Sequence, residues 1–547
     1  MKKTITLLAV LFTLIGKNVN AQSPTWQWAK SSGGTANESS NGVCVDANGN
    51  TFVTGTYASP NITFGSTTFT NTGGLDMFTV KYDPSGNVLW AKSGKGVSNE
   101  VGYNITVDAS GNSYVVGTYN SSTLVFGTTT LTLNAFDDIF IVKYDPSGNI
   151  IWAKTAGGNG NDIGQSIAVD GSGNSYITGY YASSTIGFGS TTLTNSGGND
   201  LYVAKYDPSG NVLWAEKAGG ASNDAGGGIA VDASGNAYIT GSFSSASISF
   251  STTTFTNSGG IDMFTVKYDA SGNVIWARSA TGVSNDVGYN VALDAIGNPY
   301  VVGTYNSSTL TFSTTVLTLK AFDDIFIVKY DASGNLFWAK TIGGTGNDIG
   351  QSIAVDASGN SYITGYFAST SMAIGTTTLI NAGTNDFYMA KYDASGIPQW
   401  ANSEGGASDD RGACISVAAN GNNVYVGGYF ASSSVSFGST TLTNVGGNDM
   451  FVADFGGLNA GIKDENNLAF AINIFPNPSN GNFELQIMDT QNSNFDTQIS
   501  IINMLGQIVY EDKQNSRIIN LNIKNAGIYY ITFKRGLQTA IKKIVVN

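Results

Sequence analysis

Seven acidic side chains, Glu38, Glu100, Asp162, Asp224, Asp286, Asp348 and Asp410, each stand ten positions after a tryptophan. Carboxylates repeated at one offset offer oxygen ligands to a cation such as Ca2+, or an electrostatic funnel at the mouth of a channel. The same groups serve equally well as acceptors for backbone N–H donors in their own Gly/Asn-rich loops. All seven copies keep the acid, whereas one asymmetric ligand needs only some of them. The loop-acceptor reading is therefore favoured, and no resident metal or other cofactor is expected.

A ligand-specific site should lie where the copies differ. The densest break is Glu404, Asp409, Asp410 and Arg411; others are Phe136 with Asp137, Phe322 with Asp323, and Glu216, Arg278 and Lys320. Paired carboxylates are the machinery of glycoside hydrolysis, which makes a carbohydrate-active enzyme the alternative reading. Nothing in the sequence supplies their separation or a sugar cleft, so no catalytic residue is assigned and a binding or scaffold module is expected. The chain contains no histidine. That removes Ser-His-Asp and Cys-His catalysis, imidazole metal ligands and the usual general base near neutral pH.

Residues 22–458 hold 15 Lys+Arg against 32 Asp+Glu, a net of −17, while 459–547 hold 8 and 7, a net of +1. An acidic body argues against a nucleic-acid partner, because phosphate binding needs a basic footprint. It suits a soluble extracellular protein and the approach of cations; the partner expected is an extracellular glycan or protein.

The elements that must position these groups follow from the tryptophans. Trp28, Trp90, Trp152, Trp214, Trp276, Trp338 and Trp400 are spaced 62 residues apart, the mark of a repeat architecture. Each unit strings short β-branched and aromatic runs between Asp-x-Ser-Gly-Asn or Gly/Asn/Thr clusters, which predicts four strands and a small extra hairpin near Phe126. Seven such units over 22–455 predict a seven-bladed β-propeller. The array opens on a lone Trp strand (25–30) and ends on its lone partner (449–455). Pairing the two closes the ring through a shared blade and removes two exposed edges. Trp and Tyr at fixed strand positions are expected between blades rather than stacked on sugars. The Asp-x-Ser-Gly-Asn turns lack the ligand set of a calcium loop and read as hairpin turns. The Lys of Lys-Tyr-Asp (Lys81, Lys143, Lys205, Lys267, Lys329, Lys391) is expected to pair with neighbouring carboxylates, with Asp454 replacing it at the seam. Unit two echoes unit five and unit three echoes unit six at 186 residues, a sign of block duplication.

Met1-Lys2-Lys3, the apolar run from Ile5 to Ile15 and Val19-Asn20-Ala21 read as a secretory signal over 1–21, cut between Ala21 and Gln22. No later apolar run is long enough for a transmembrane helix. Cys44 and Cys414 point to the same face of their strands, so two buried thiols are expected rather than a disulfide. After a linker at 456–470, residues 471–547 show about seven short alternating strands, a small β-sandwich.

The motif Asp-x-Phe-x-x-Lys-Tyr-Asp-x-x-Gly-Asn-x-x-Trp-Ala, followed by Gly-Gly and Ile-Ala-Val-Asp-x-x-Gly-Asn, resembles the seven-bladed β-propeller repeat of secreted bacterial proteins. That resemblance implies a fold and an extracellular setting, with no common activity. Pro476-Asn477-Pro478 with Gly481, Asn503-Met-Leu-Gly506, Gly527-Ile-Tyr529 and Lys542-Lys543 near the end are similar to the C-terminal sorting domain of the Bacteroidetes type IX secretion system. This implies recognition by that machinery, passage through the outer membrane, and release or retention at the cell surface. Asn503 stands where many such domains have Asp.

Overall fold

The computed structural model describes residues 24–457 and, beyond 469, all but 478, 490–496, 504–506, 515–517, 536–537 and 547. The signal segment with its Ala21–Gln22 junction, most of the 456–470 linker, Pro478 and Gly506 lie outside the described residues. The described residues are all-β: seven four-stranded antiparallel sheets and accompanying hairpins span 25–456, followed by two further sheets.

One repeat shows how the sequence builds a sheet. Asp162–Val169, Ser175–Tyr181, Asp200–Tyr206 and Val212–Ala218 lie side by side in chain order, and the hairpin Thr185–Phe188/Thr191–Thr194 projects between the second and third. The two middle strands are buried on both faces because a neighbouring sheet covers each side. They read accordingly as near-continuous apolar and aromatic runs, while the fourth strand alternates toward solvent. Between first and second strands the Asp-x-Ser-Gly-Asn turn closes on itself. Asp108 Oδ1 accepts the N–H groups of Ser110 and Asn112, Oδ2 accepts the Asn112 amide, and Gly111 takes the left-handed conformation at φ 81°.

The array begins and ends in one sheet. Thr25–Ser32 pairs antiparallel with Asp449–Gly456, beside Val424–Phe430 and Asp410–Val417. First strands touch one another in sequence from Glu38–Val45 onward to Asp410–Val417, which touches Glu38–Val45 again. Every first strand also carries a β-bulge, leaving one residue without a cross-strand partner: Asn41, Tyr103, Gln165, Gly227, Tyr289, Gln351 and Ala413. A bulge re-aims a side chain, and here its occupant is Asn, Gly or Ala in one sheet each and Tyr or Gln in two each.

Both thiols are free and sit in different cores. Cys414 packs with Trp28, Val53 and Tyr57, and Cys44 against Phe52, Met77 and Trp90. Burial pushes both thiols well above the usual range.

Beyond the array, Phe470–Phe475, Asn482–Asp489 and Ile518–Asn522 form one sheet. Ile508–Gln514, Thr497–Asn503, Gly527–Arg535 and Gln538–Val546 form the other. Phe483, Leu485, Ile499, Ile501, Ile531, Phe533 and Ile544 make their shared core. All seven strands read from the alternating pattern are present. Asn477 Oδ1 accepts the Val545 N–H, and Tyr529 donates to the Asn525 carbonyl. Gly481 takes the left-handed region at φ 103°, and Gly527 lies at φ 156°. Lys542 and Lys543 lie on the last strand. Contacts divide the chain between this unit and residues 23–457, and no helix among the described residues is long and apolar enough to cross a membrane.

Candidate functional site

The seven acids ten residues after each Trp stand at the head of each first strand and are at most 1% exposed. Asp162 shows the arrangement. Oδ2 accepts the Gly158 N–H at 2.8 Å and the Ser183 hydroxyl at 2.6 Å, and Oδ1 accepts the Ser183 N–H at 3.2 Å. Asp224, Asp348 and Asp410 repeat it on Gly220 and Ser245, Gly344 and Ser369, and Gly406 and Ser432. Glu38 takes Gly34 and Ser59 N–H groups, Asp286 takes Ser307, and Glu100 accepts the Ser121 hydroxyl. These carboxylates are buried rather than open at a rim. Glu38, Asp162, Asp224, Asp348 and Asp410 thus clamp the incoming loop to the end of the second strand, while Glu100 and Asp286 hold the serine at that end and Glu100 Oε2 has no partner.

A second acid per repeat escaped the sequence reading. Asp76, Asp138, Asp200, Asp262, Asp324, Asp386 and Asp449 begin the third strands and are at most 2% exposed. In each, Oδ2 accepts the N–H of the residue four positions earlier, as Asp138 does from Asn134, while Oδ1 has no partner. Six of them lie within electrostatic reach of the clamp acid of the next sheet, and Asp200 forms an ion pair with Lys217 at 3.0 Å. Burial, reinforced by that neighbouring charge, raises Asp138, Asp324, Asp386 and Asp449 to about 6. Burial likewise lifts Glu100 and Asp286 to about 7, with the neighbouring charges of Asp76 and Asp262 adding to it. The signal was the Asp of Asp-x-Phe, as regular as the clamp acid but hidden within a strand motif.

The repeated lysines also differ from expectation. Lys143 Nζ lies 4.7 Å from the centre of the Tyr114 ring and donates to the Pro208 carbonyl. Only Lys267–Asp232 and Lys329–Asp294 come within ion-pair range, at 3.8 and 3.7 Å. Aromatic faces and carbonyls, not carboxylates, are the shared partners. At the seam Asp454 instead accepts the Asn423 amide.

Residues that break the repeat fall into separate places. Glu404 accepts the Trp26 indole N–H at 2.7 Å on an outer strand, and Lys320 donates to the Gly343 carbonyl. Glu216 is exposed on an outer strand. Arg278 lines a groove of about 700 Å3 with Phe255, Phe312 and Phe337. Asp46, Asp232, Asp294 and Asp356 border a second cavity of about 520 Å3 where the first strands end. Phe136 and Phe322 are 67% and 68% exposed with φ of 42° and 47°, a strained conformation where other units have glycine or, once, threonine.

The structure does join Asp409 and Arg411. Arg411 Nε donates to Asp409 Oδ1 at 2.8 Å, and Asp409 also accepts from Asn385 at 2.7 Å and the Tyr429 hydroxyl at 3.0 Å. The guanidinium lies 4.1 Å from the centre of the Tyr366 ring and 5.8 Å from that of Tyr429. Tyr366 interacts in turn with Asp323 and with the bulge residue Tyr289. Their duplicates Tyr180, Asp137 and Tyr103 form the same trio, and burial with those neighbours pushes Tyr103 up to about 12.

Comparison with known proteins agrees with this architecture. Residues 151–180 and 338–366 match a family described as a beta-propeller repeat, and 473–547 match a secretion system C-terminal sorting domain. An uncharacterized WD repeat-containing protein of Acanthamoeba polyphaga mimivirus is 28% identical over 336 residues, 49% of this chain and 24% of that protein. Regulatory protein FlaEY of Caulobacter vibrioides is 37% identical over 140 residues, 25% of this chain and 14% of that protein. The chain thus spans a quarter or less of these relatives' lengths. Among solved structures, a puromycin hydrolase mutant aligns with a TM-score of 0.35 at 10% identity, covering 82% of this chain and 58% of that one. An apocarotenoid oxygenase mutant from Synechocystis aligns at 0.30 and 9%, covering 66% and 74%. The chain thus carries β-propeller repeats, matched at 151–180 and 338–366, followed by a secretion system C-terminal sorting domain at 473–547.

Proposed function

We propose that this protein is a binding or scaffold module that works outside the cell, carried across the outer membrane by its C-terminal domain acting as an export tag. One observation carries the binding reading. The repeated features are spent on internal hydrogen bonds: the seven clamp acids, six of the seven tryptophans and the Asp-led turns. The exposed rings of Phe136 and Phe322 and the exposed carboxylate of Glu216 stand where the repeats differ. Binding without turnover is supported by the blade-specific carboxylates: Glu404 is engaged by an indole and Asp409 by a guanidinium, an amide and a phenol. The sorting domain supports export to the surface or the medium, and a leader at 1–21 supports passage across the inner membrane first.

Two measurements test this. Removing residues 471–547 should strand the chain in the periplasm, and its normal appearance outside the cell would refute the export reading. Screening the full chain on glycan and protein arrays alongside hydrolysis assays should give binding with no product. Product release would favour a carbohydrate-active enzyme instead.

A further inference from the structure

Arg411 shows from within the chain what one of its surfaces accepts. Its guanidinium lies over Tyr366 and is held only through Nε, to Asp409. Tyr366 is the sixth residue of Ser361–Phe367, and Tyr180 is the sixth of Ser175–Tyr181, 186 residues earlier. The backbones around the two are alike. Gly412 and Gly226, each following the residue of interest, both sit against a threonine hydroxyl, Thr364 and Thr178, and near the carbonyls of Gly365 and Gly179. The side chains are not alike. Where the sheet beside Tyr366 presents Arg411, Ala413 and Tyr429, the sheet beside Tyr180 presents Ala225, Gly227 and Ser242.

Three truncations thus leave the ring that matches Tyr366 with no resident cation, and no lysine or arginine among the described residues lies over it. Tyr180 and Ala225 are half-buried, so the place is reachable. The hydroxyls of Tyr180 and Tyr103 make no hydrogen bond among the described residues. Asp137, within electrostatic reach of both, supplies a negative charge that Asn223, standing where Asp409 does, lacks. A net of −17 over residues 22–458 favours a cation's approach.

We propose that the Tyr180 face, opened by Ala225, Gly227 and Ser242 and flanked by Tyr103 and Asp137, binds a guanidinium or ammonium group of a ligand, in the position Arg411 fills at the other copy. This rests on the reading of the chain as a binding module and names the chemistry of one site on it. An aromatic face with a nearby carboxylate suits a cation, and the planar guanidinium stacks best.

The test is calorimetric titration of the full chain with acetyl-Gly-Arg-Gly-amide, its citrulline and lysine analogues, and agmatine. One site per chain is expected, with citrulline at least about tenfold weaker. Binding of agmatine as tight as that of the peptide assigns the site to free amines, and weaker binding assigns it to side chains. Tyr180→Ala should abolish binding while Tyr180→Phe keeps it. Ala225→Arg should fill the site from within and block it, with a melting temperature at or above the parent's. Arg411→Ala should raise the stoichiometry from one to two. Binding undiminished in Ala225→Arg, or none in a parent chain that melts normally, overturns the proposal. A chain that ignores these probes yet binds on an array overturns this site alone and leaves the wider reading standing.

Discussion

Lys81 and Trp90 stand opposite each other on adjacent strands, and both donate to the carbonyl of Pro146 in the next sheet, at 3.3 and 3.1 Å. The tie recurs around the array: Trp152 and Lys143 share Pro208, Trp214 and Lys205 share Ala270, and Trp276 and Lys267 share Ala332. Trp400 has no such carbonyl, because the chain leaves the array where the next turn would stand, and its indole N–H is buried without a partner.

This difference predicts unequal effects for one substitution. Trp152→Phe should cost about 1 kcal/mol beyond its lost contacts, since it removes the indole donor and leaves the Pro208 carbonyl to Lys143 alone. Trp400→Phe should cost less, because no hydrogen bond is lost. Trp152→Ala, at a side chain 9% exposed, should cost about 3–5 kcal/mol. Denaturant unfolding of the three variants checks the order, and equal losses for the two phenylalanine variants would show that the shared carbonyl contributes nothing.

The carboxylate pairs predict a pH dependence with a definite sign. Burial raises Asp138, Asp324, Asp386 and Asp449 to about 6 and Glu100 and Asp286 to about 7, from ordinary values of 3.8 and 4.5. Between those limits the folded chain holds more protons than the unfolded one, so stability falls as pH rises through about 4 to 7. Each group contributes at most about 1.4 kcal/mol per pH unit within its window. Turn aspartates such as Asp83 and Asp145 act oppositely. Side-chain hydrogen bonds from Asn87 and Asn149 lower them, so their contribution is lost as pH falls below about 4. Melting temperature should therefore peak in mild acid, and Asp324→Asn should flatten the fall toward pH 8. A melt highest at pH 8 would contradict the pairing.

A steric contrast follows from the unpartnered oxygens. A Cβ built on Gly157 collides with Asp138 Oδ1, whereas one on Gly171 meets nothing within 4 Å. Gly157→Ala should destabilise by about 1–3 kcal/mol. Gly171→Ala should be neutral or slightly stabilising, by restricting the unfolded chain. Thermal melts of both decide this, and a harmless Gly157→Ala would mean that the loop yields freely.

Strands and turns were legible because each depends on residues close in sequence: the Trp period, the apolar runs, and a Gly in each Asp-x-Ser-Gly-Asn turn. What escaped depends on partners in another sheet. Lys143 looked like half of an ion pair until the Tyr114 ring and the Pro208 carbonyl were found beside it. The clamp acids were placed on the right loops, but whether they face solvent is decided by Ser183 and its equivalents, 21 residues away. Tyr103 gave no sign of being a bulge residue, since a bulge exists only in the register of two paired strands. Arg411 stood out as an exception. Its tyrosine neighbours did not, because Tyr366 lies in the preceding repeat.

The seam also sets an order of assembly. Six of the array's sheets draw their four strands from one continuous stretch and can form as soon as that stretch is free to fold. The remaining one waits, because Thr25–Ser32 is made first and its partner Asp449–Gly456 last. Until the chain through Gly456 is free to fold, the earliest strand of the array has no edge to join and the array stays unlatched.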